Sequence, residues 1–342
     1  MKLDLMTGGL PLRTVQQLAR QARDAGFAGL VVTEGGRTAY LSCAAAALAA
    51  DIDILTGIAV AFPRSPMVTA EVAWELADAS GGRFRLGLGT QVRAHVERRY
   101  GVAFDPPGPR MRDYLLAVRA CFHAFRTGEP LDHHGPYYDL SLLPAMWSPG
   151  PIAPPDPPVD LAAVNPWMLR VAGRHADGVH VHPLNTPTYL AETVRPELAT
   201  GATAAGRHVD DLEVIVPAFL VVGDTDEERA RWRELARMQV AFYGSTPNYA
   251  FIFDQIDHPG TTAAVRRHQK AGDVAGMATV ITDDILSHFT VEGTWATVAE
   301  AIADRYAGTA TRVVNYFGAM AWTEDPGSLA RWRDVTRDLD QA

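Results

Sequence analysis

Apolar positions along the chain change period in a regular rhythm. LDLM is a short apolar strand, 12–25 repeats apolar residues at helical spacing, GLVVTE returns to a strand, and 39–50 is an alanine-rich helix. The alternation continues with the strand ILTGIAVAF, a helix over 66–79, the strand FRLGLGT and a helix over 110–126, with room for a shorter helix before it. Several strands are near-continuous apolar runs. That pattern belongs to strands covered on both faces, and it predicts a parallel sheet wrapped by helices.

Prolines at 144, 149, 151, 154, 155, 157 and 158 make 143–158 too proline-dense for helix or central strand, so an extended surface excursion is predicted there. The rhythm resumes with PVDLAAV, a helix over 166–175, GVHVH, a helix around 189–198 and LEVIVPAFLVV. Asp224 and Thr225 cap a charged helix running through Arg237, and 243–292 mixes apolar and polar positions without a clear period, which reads as an insertion. A helix over 294–306, the strand RVVNYF and a helix over 326–339 follow. Strands starting near Leu3, Leu30, Ile54, Phe84, Val159, Val179, Val214 and Val313 make eight, each followed by helix. This is the count of a closed (β/α)8 TIM barrel, here read as a single α/β domain over 1–342 with the excursion before strand 5 and the insertion after strand 7. A doubly wound sheet fits less well, because GGLP stands where a GxGxxG would follow the first strand.

The net charge of −9 and the absence of any Lys/Arg run exclude a nucleic-acid-binding surface. Cys43 and Cys121 are too few and too far apart for a disulfide framework and read as buried small hydrophobes. No signal-like start and no apolar run of about 20 residues appear, so no membrane contact and a cytoplasmic location are expected.

A barrel places its function at the C-terminal strand ends, and those ends are mostly small or apolar here, which suits a flat aromatic ligand better than a metal or a sugar. Gly87 and Gly89 in LGLGT signal either close ligand approach or tight barrel packing. In VNPWML, Asn165 is a plausible N-cap and Pro166 takes the first helical position, leaving the N–H groups of Trp167 and Met168 free for a phosphate. His180 and His182 share the sixth strand, where only one is expected to face the interior; no third ligand accompanies them, and no metal is expected. His182, nearest the strand end, and His95, one helical turn beyond Gln91, are proton-transfer candidates. Glu34 is the third, as the only carboxylate among the strand ends, with an ion pair to Arg37 or another arginine as its alternative.

TGIAVAFPRSP, SGGRFRLGLGTQ, the helix from Arg110 to Phe125, GPYYDL and AGRHADGVHVHP together resemble the bacterial luciferase-like superfamily over nearly the whole chain. FYGSTPNY and VEGT look like its subgroup of oxidoreductases that use the deazaflavin coenzyme F420. The resemblance implies a barrel holding a flavin or deazaflavin at its mouth. Ala59 and Val60 would carry a bulge with a non-prolyl cis peptide behind the ring, Gly89, Thr90 and Gln91 would meet the ring, and Asn165, Pro166, Trp167 and Met168 would hold the phosphate. Gln91 stands where some deazaflavin dehydrogenases carry a glutamate proton donor, and GGR follows Glu34 where relatives carry Asp or His, which disfavours a sugar-phosphate dehydrogenase. The resemblance thus points to hydride transfer between coenzyme F420 and a small-molecule substrate. An FMN-dependent two-component monooxygenase with a partner flavin reductase and a non-catalytic flavin-binding barrel are the alternatives. A homodimer through the early helices is implied as well.

Overall fold

The computed structural model describes residues 1–341. Eight parallel strands, β1 (Lys2–Gly8), β2 (Gly29–Thr33), β3 (Asp53–Thr56), β4 (Phe84–Gly89), β5 (Val159–Ala162), β6 (Gly178–His180), β7 (Glu213–Val222) and β8 (Arg312–Asn315), pair in sequence order. β8 returns to pair β1 in the register Lys2↔Arg312 to Leu5↔Asn315, so the sheet closes and the (β/α)8 barrel is complete.

The helices form where period and caps require them. Pro66–Ala79 starts with Ser65 accepting from the Val68 N–H and Pro66 at the first helical position, and buries Thr69, Ala70, Ala73, Trp74 and Ala77 against the barrel. Pro166–His175 repeats the device with Asn165 and Pro166. The 143–158 segment lies extended over the outer wall apart from one turn at Ala145–Trp147. It is tied down by Trp74 Nε1 donating to the Gly150 carbonyl at 2.9 Å and by Arg126 donating to the carbonyls of Ile152 and Pro154 at 2.5 and 2.7 Å.

The stretch 243–292 has more order than its mixed pattern suggests. It folds into the helices Ala250–Asp254, Thr261–Lys270, Val274–Val280 and Asp283–Ser287 and a further strand, Thr290–Gly293. That strand pairs in parallel with the upper half of β7, from Phe219↔Thr290 to Val222↔Gly293, outside the closed barrel. The helices gather around their own apolar cluster, including Val240, Ile252, Phe253, Val265 and Leu286, which touches the barrel through Phe219 and Phe317. A short helix after β8, Gly318–Glu324, is also absent from the sequence pattern.

The barrel interior is layered. At the bottom, Arg312 reaches both oxygens of Asp4 at 2.7 Å and Asp53 at 2.9 Å, while Arg85 grips Asp160 at 2.6 and 3.0 Å. Burial raises the Asp4 and Asp160 carboxyls above their ordinary value, against the pull of Arg312 and Arg85 respectively. A side chain at Gly29 would collide with this layer, since a Cβ there lies 2.6 Å from Asp4 Oδ1 and 2.7 Å from Arg312 Nη2. Above it, Met6, Val31, Leu55, Ile215 and Val314 fill the middle.

Candidate active site

The mouth is built on the segment between β3 and β4. Gly57 donates to the Val32 carbonyl at 2.8 Å on one side, and Ala61 donates to the Gly89 carbonyl at 3.0 Å on the other. Between these anchors the Gly57–Ile58 peptide is cis. The expected position at Ala59 and Val60 is therefore corrected by two residues. Ala59 and Val60 are instead a short strand paired with Leu88 and Gly89, and their side chains are buried.

Glu34 fixes this segment from the β2 end. Its Oε2 accepts from the Val60 N–H at 2.7 Å and from Arg64 Nη1 at 2.9 Å, its Oε1 accepts from Arg64 Nη2, and its side chain is 3% exposed. Arg64 also donates to the Val60 carbonyl at 2.9 Å and to Thr38 Oγ1 at 3.2 Å, and lies over the Tyr40 ring. Both backbone groups of Val60 thus belong to one carboxylate–guanidinium clamp. The ion-pair alternative for Glu34 is the observed one, with Arg64 and not Arg37 as partner, and both carboxylate oxygens are engaged in charge-assisted hydrogen bonds.

β6 brings both histidines inward. The expectation that only one of them faces the interior fails because residues two apart in a strand share a face. His180 is 6% exposed inside the barrel, 3.8 Å from Asp160 Oδ2, with its Nε2 unpartnered. A Cβ on Gly87 would lie 2.4 Å from that nitrogen and 2.0 Å from the Thr56 carbonyl, and one on Gly89 would lie 2.8 Å from Ile58 Cδ1. Both glycines are set by packing. Burial, with Arg85 and Arg312 nearby, lowers the His180 pKa to about 3.

His182, just past β6, is half-buried at the mouth, and burial lowers its pKa to about 3 as well. Its Nδ1 accepts from the Leu184 N–H at 3.1 Å, which places the ring proton on Nε2. At neutral pH it is a hydrogen-bond donor and not an imidazolium. Its ring is walled by Tyr243 and Tyr249, with centroids 4.8 and 4.3 Å away, and the Tyr243 hydroxyl meets Tyr316 at 2.7 Å. Burial raises all three tyrosines above their ordinary pKa. This wall, delivered by the helix Asp226–Gly244, the turn after it and the end of β8, is absent from the residues singled out in the sequence. FYGSTPNY, quoted only for the subgroup resemblance, holds two of its members and is the signal that could have found it.

The remaining candidates divide. Gln91 ends β4 with a left-handed φ of 59° and folds its side chain back to accept from the Val92 N–H at 2.9 Å, beside Thr90, whose hydroxyl donates to the Gln91 carbonyl at 3.0 Å. His95 is exposed on the helix Arg93–Arg98, outside the His182 cluster. Asn165 Oδ1 accepts from the Met168 N–H at 2.9 Å, so of the two N–H groups expected to be free only that of Trp167 is left. Trp167 itself lies against Gly108, where a Cβ would come 2.7 Å from its ring. A separate cavity of about 310 Å³, lined by Trp232, Trp295, Phe317 and Trp332 among others, lies around β7 and the segment after β8 and contains none of these residues.

Because His180 and His182 resist protonation when folded, acid should destabilise the protein. The unfolded histidine takes a proton below about pH 6.5, whereas the folded one does so only near pH 3. The contribution is complete above the unfolded pKa and falls by about 1.4 kcal/mol per pH unit per histidine below it. His180 supplies the larger share, because solvent reaches His182. Asp4 and Asp160, with raised pKa, act in the opposite sense nearer their own titration. Urea unfolding at pH 7, 6 and 5 is expected to show a loss of about 2 kcal/mol, reduced in His180→Gln; a flat profile contradicts the burial of a neutral His180.

A closed parallel (β/α)8 barrel with a clamped segment after its third strand and an aromatic mouth defines the class. Residues 2–312 match the family model described as luciferase-like monooxygenase, and the chain belongs to that family. It is 36% identical over 328 residues to an uncharacterized protein of Mycobacterium tuberculosis, covering 94% of each chain. Among solved structures it resembles the coenzyme F420 dependent tetrahydromethanopterin reductase from Methanopyrus kandleri, with a TM-score of 0.80, 20% identity and coverage of 99% and 98% of the two chains. It also resembles the oxygenating constituent of 3,6-diketocamphane monooxygenase of Pseudomonas putida in complex with FMN, with a TM-score of 0.71, 18% identity and coverage of 99% and 97%. Among the described residues no helix is long and apolar enough to cross a membrane.

Proposed function

We propose that the protein is an oxidoreductase that moves a hydride between coenzyme F420 and a small organic substrate at the barrel mouth. The observation that carries the reading is the half-buried neutral His182, its Nε2–H unspent, facing a mouth walled by tyrosines and floored by the pinned 57–61 segment. A flat ring bearing carbonyl oxygens fits such a place, because it needs apolar cover on its faces and a few fixed donors at its edge. When bound, the deazaflavin supplies the hydride chemistry.

The chain's own residues bind and orient. The Glu34–Arg64 pair holds the floor, His182 Nε2 donates a hydrogen bond to a carbonyl oxygen, and Tyr243, Tyr249 and Tyr316 exclude water. The Trp167 N–H at the start of Pro166–His175 meets the phosphate, with the helix dipole behind it. His95 stands outside this arrangement in the proposal, and Glu34 positions the floor. With Gln91 in place of a carboxylic acid, proton delivery falls to the substrate or to water. The solved reductase that uses coenzyme F420 overlays more closely than the FMN-bound monooxygenase, which favours the deazaflavin over flavin. A homodimer through the early helices belongs to the same proposal, supported by Leu41 and Leu48, 57% and 75% exposed there.

Titration of the purified protein with coenzyme F420 and with FMN, read by cofactor fluorescence, tests the reading. Coenzyme F420 is expected to bind at least about tenfold more tightly than FMN, and His182→Phe, which keeps the ring shape but removes the N–H, is expected to weaken it about tenfold. Tight FMN binding with no deazaflavin binding would falsify the proposal in favour of the monooxygenase.

A further inference from the structure

Away from the mouth, the insertion brings together the one trio of metal-ligating side chains found among the described residues. His258, Asp284 and His288 each offer one donor atom, and these atoms all lie within 4.8 Å of one another. We infer that they form a site for one divalent transition-metal ion of the zinc type.

The chemistry of the set selects that class. Two imidazoles and one carboxylate are borderline nitrogen and oxygen donors that suit Zn²⁺, Co²⁺ or Ni²⁺, whereas Mg²⁺ and Ca²⁺ take oxygen sets. Bonds of about 2.0–2.1 Å in a tetrahedron set donors about 3.3 Å apart. His258 Nε2 and Asp284 Oδ2 already stand 3.1 Å apart. The third donor, on His288, lies within 4.8 Å of both, so side-chain adjustment suffices to close the set.

The backbone presents the donors from two segments. Asp284 and His288 are four residues apart, on the helix Asp283–Ser287 and its C-terminal cap, so they share one face. Thr282 caps that helix by accepting from the Ile285 N–H at 3.2 Å, and the His288 N–H donates to the Ile285 carbonyl at 3.2 Å. His258 comes from the turn after Ala250–Asp254, where its N–H donates to the Phe253 carbonyl at 3.0 Å and its carbonyl accepts from Thr261 Oγ1 at 2.8 Å. Three protein ligands on a solvent-facing site leave the fourth position to water or an added ligand.

An ion there would staple the turn after Ala250–Asp254 to the helix Asp283–Ser287. Tyr249 immediately precedes Ala250–Asp254 and packs on His182. The staple thus stiffens one wall of the mouth, without entering the chemistry proposed for it.

The test uses the full-length, tag-free protein, stripped with EDTA and titrated with Co²⁺. One equivalent is expected to bind with the visible absorption of four-coordinate cobalt, to be displaced by Zn²⁺, and to raise the thermal midpoint. His258→Gln and His288→Gln are each expected to weaken binding by at least about tenfold while leaving the metal-free midpoint unchanged. His134→Gln removes a surface histidine flanked by Asp132 and Asp139 at 3.1 and 2.9 Å and is expected to change nothing. The inference fails if wild type binds less than one equivalent, if His258→Gln and His288→Gln bind as wild type does, or if His134→Gln weakens binding equally. Should the two ligand variants unfold, Asp284→Asn, at an exposed position, gives the same readout.

Discussion

Arg312→Met is expected to lower the stability of the folded chain by about 3–5 kcal/mol. Arg312 is 1% exposed, and its removal leaves Asp4, fully buried, without its bidentate partner and frees one side of Asp53. The cost comes from the stranded carboxylate more than from the loss of the pair, since a buried ion pair gains little net energy over a well-packed apolar replacement. The double variant Asp4→Leu/Arg312→Met is accordingly expected to recover most of the loss. Chemical denaturation of the three proteins decides this. A single variant within about 1 kcal/mol of wild type would show that water enters the barrel bottom and that the layer is not dry.

The second large effect concerns Glu34→Gln, for which the affinity for coenzyme F420 is expected to fall about tenfold to a hundredfold. The substitution removes the charge that holds Arg64 and replaces one acceptor with an amide donor beside Nη2, disturbing the grip on both backbone groups of Val60. Hydrogen bonds to charged partners contribute about 1.5–3 kcal/mol, which spans that range of affinity. Two roles for Glu34 separate here. A proton donor would lose turnover at unchanged affinity, and an acid limb would vanish from the rate profile. A clamp loses affinity with the shape of the profile preserved, and Glu34→Asp, which keeps the charge, restores part of it. Fluorescence titration together with a pH–rate series reads both.

How much of this was legible along the chain follows from how local each cause is. The caps Ser65 and Asn165 with their following prolines set two helix starts within four residues, and both helices occupy the predicted spans. Seven of the barrel strands lie where the apolar runs placed them, while the third, read as one run through Phe62, stops at Thr56 and is followed only by the short strand Ala59–Val60. The insertion was less legible because its helices are 5 to 10 residues long, too short to establish a period, and its strand Thr290–Gly293 is defined by a partner some seventy residues earlier in β7. The resemblance carried the cis peptide to the right loop and two residues too late, since strand-end spacing does not reveal which peptide sits between the anchors from Val32 and Gly89.

The sequence by itself determined the barrel, the order of its strands and the mouth as the place to look, because hydrophobic period, capping and the closure of eight parallel strands are written in short windows. Only the tertiary structure decided what the polar groups do. Glu34 is a clamp because Arg64 arrives from thirty residues away, His182 is a neutral donor because Tyr243 and Tyr249 bury it, and Asp4 is tolerable inside the barrel because Arg312 reaches it across 308 residues. Proton affinity and hydrogen-bond role follow from burial and partners, and both are set by contacts between residues far apart along the chain.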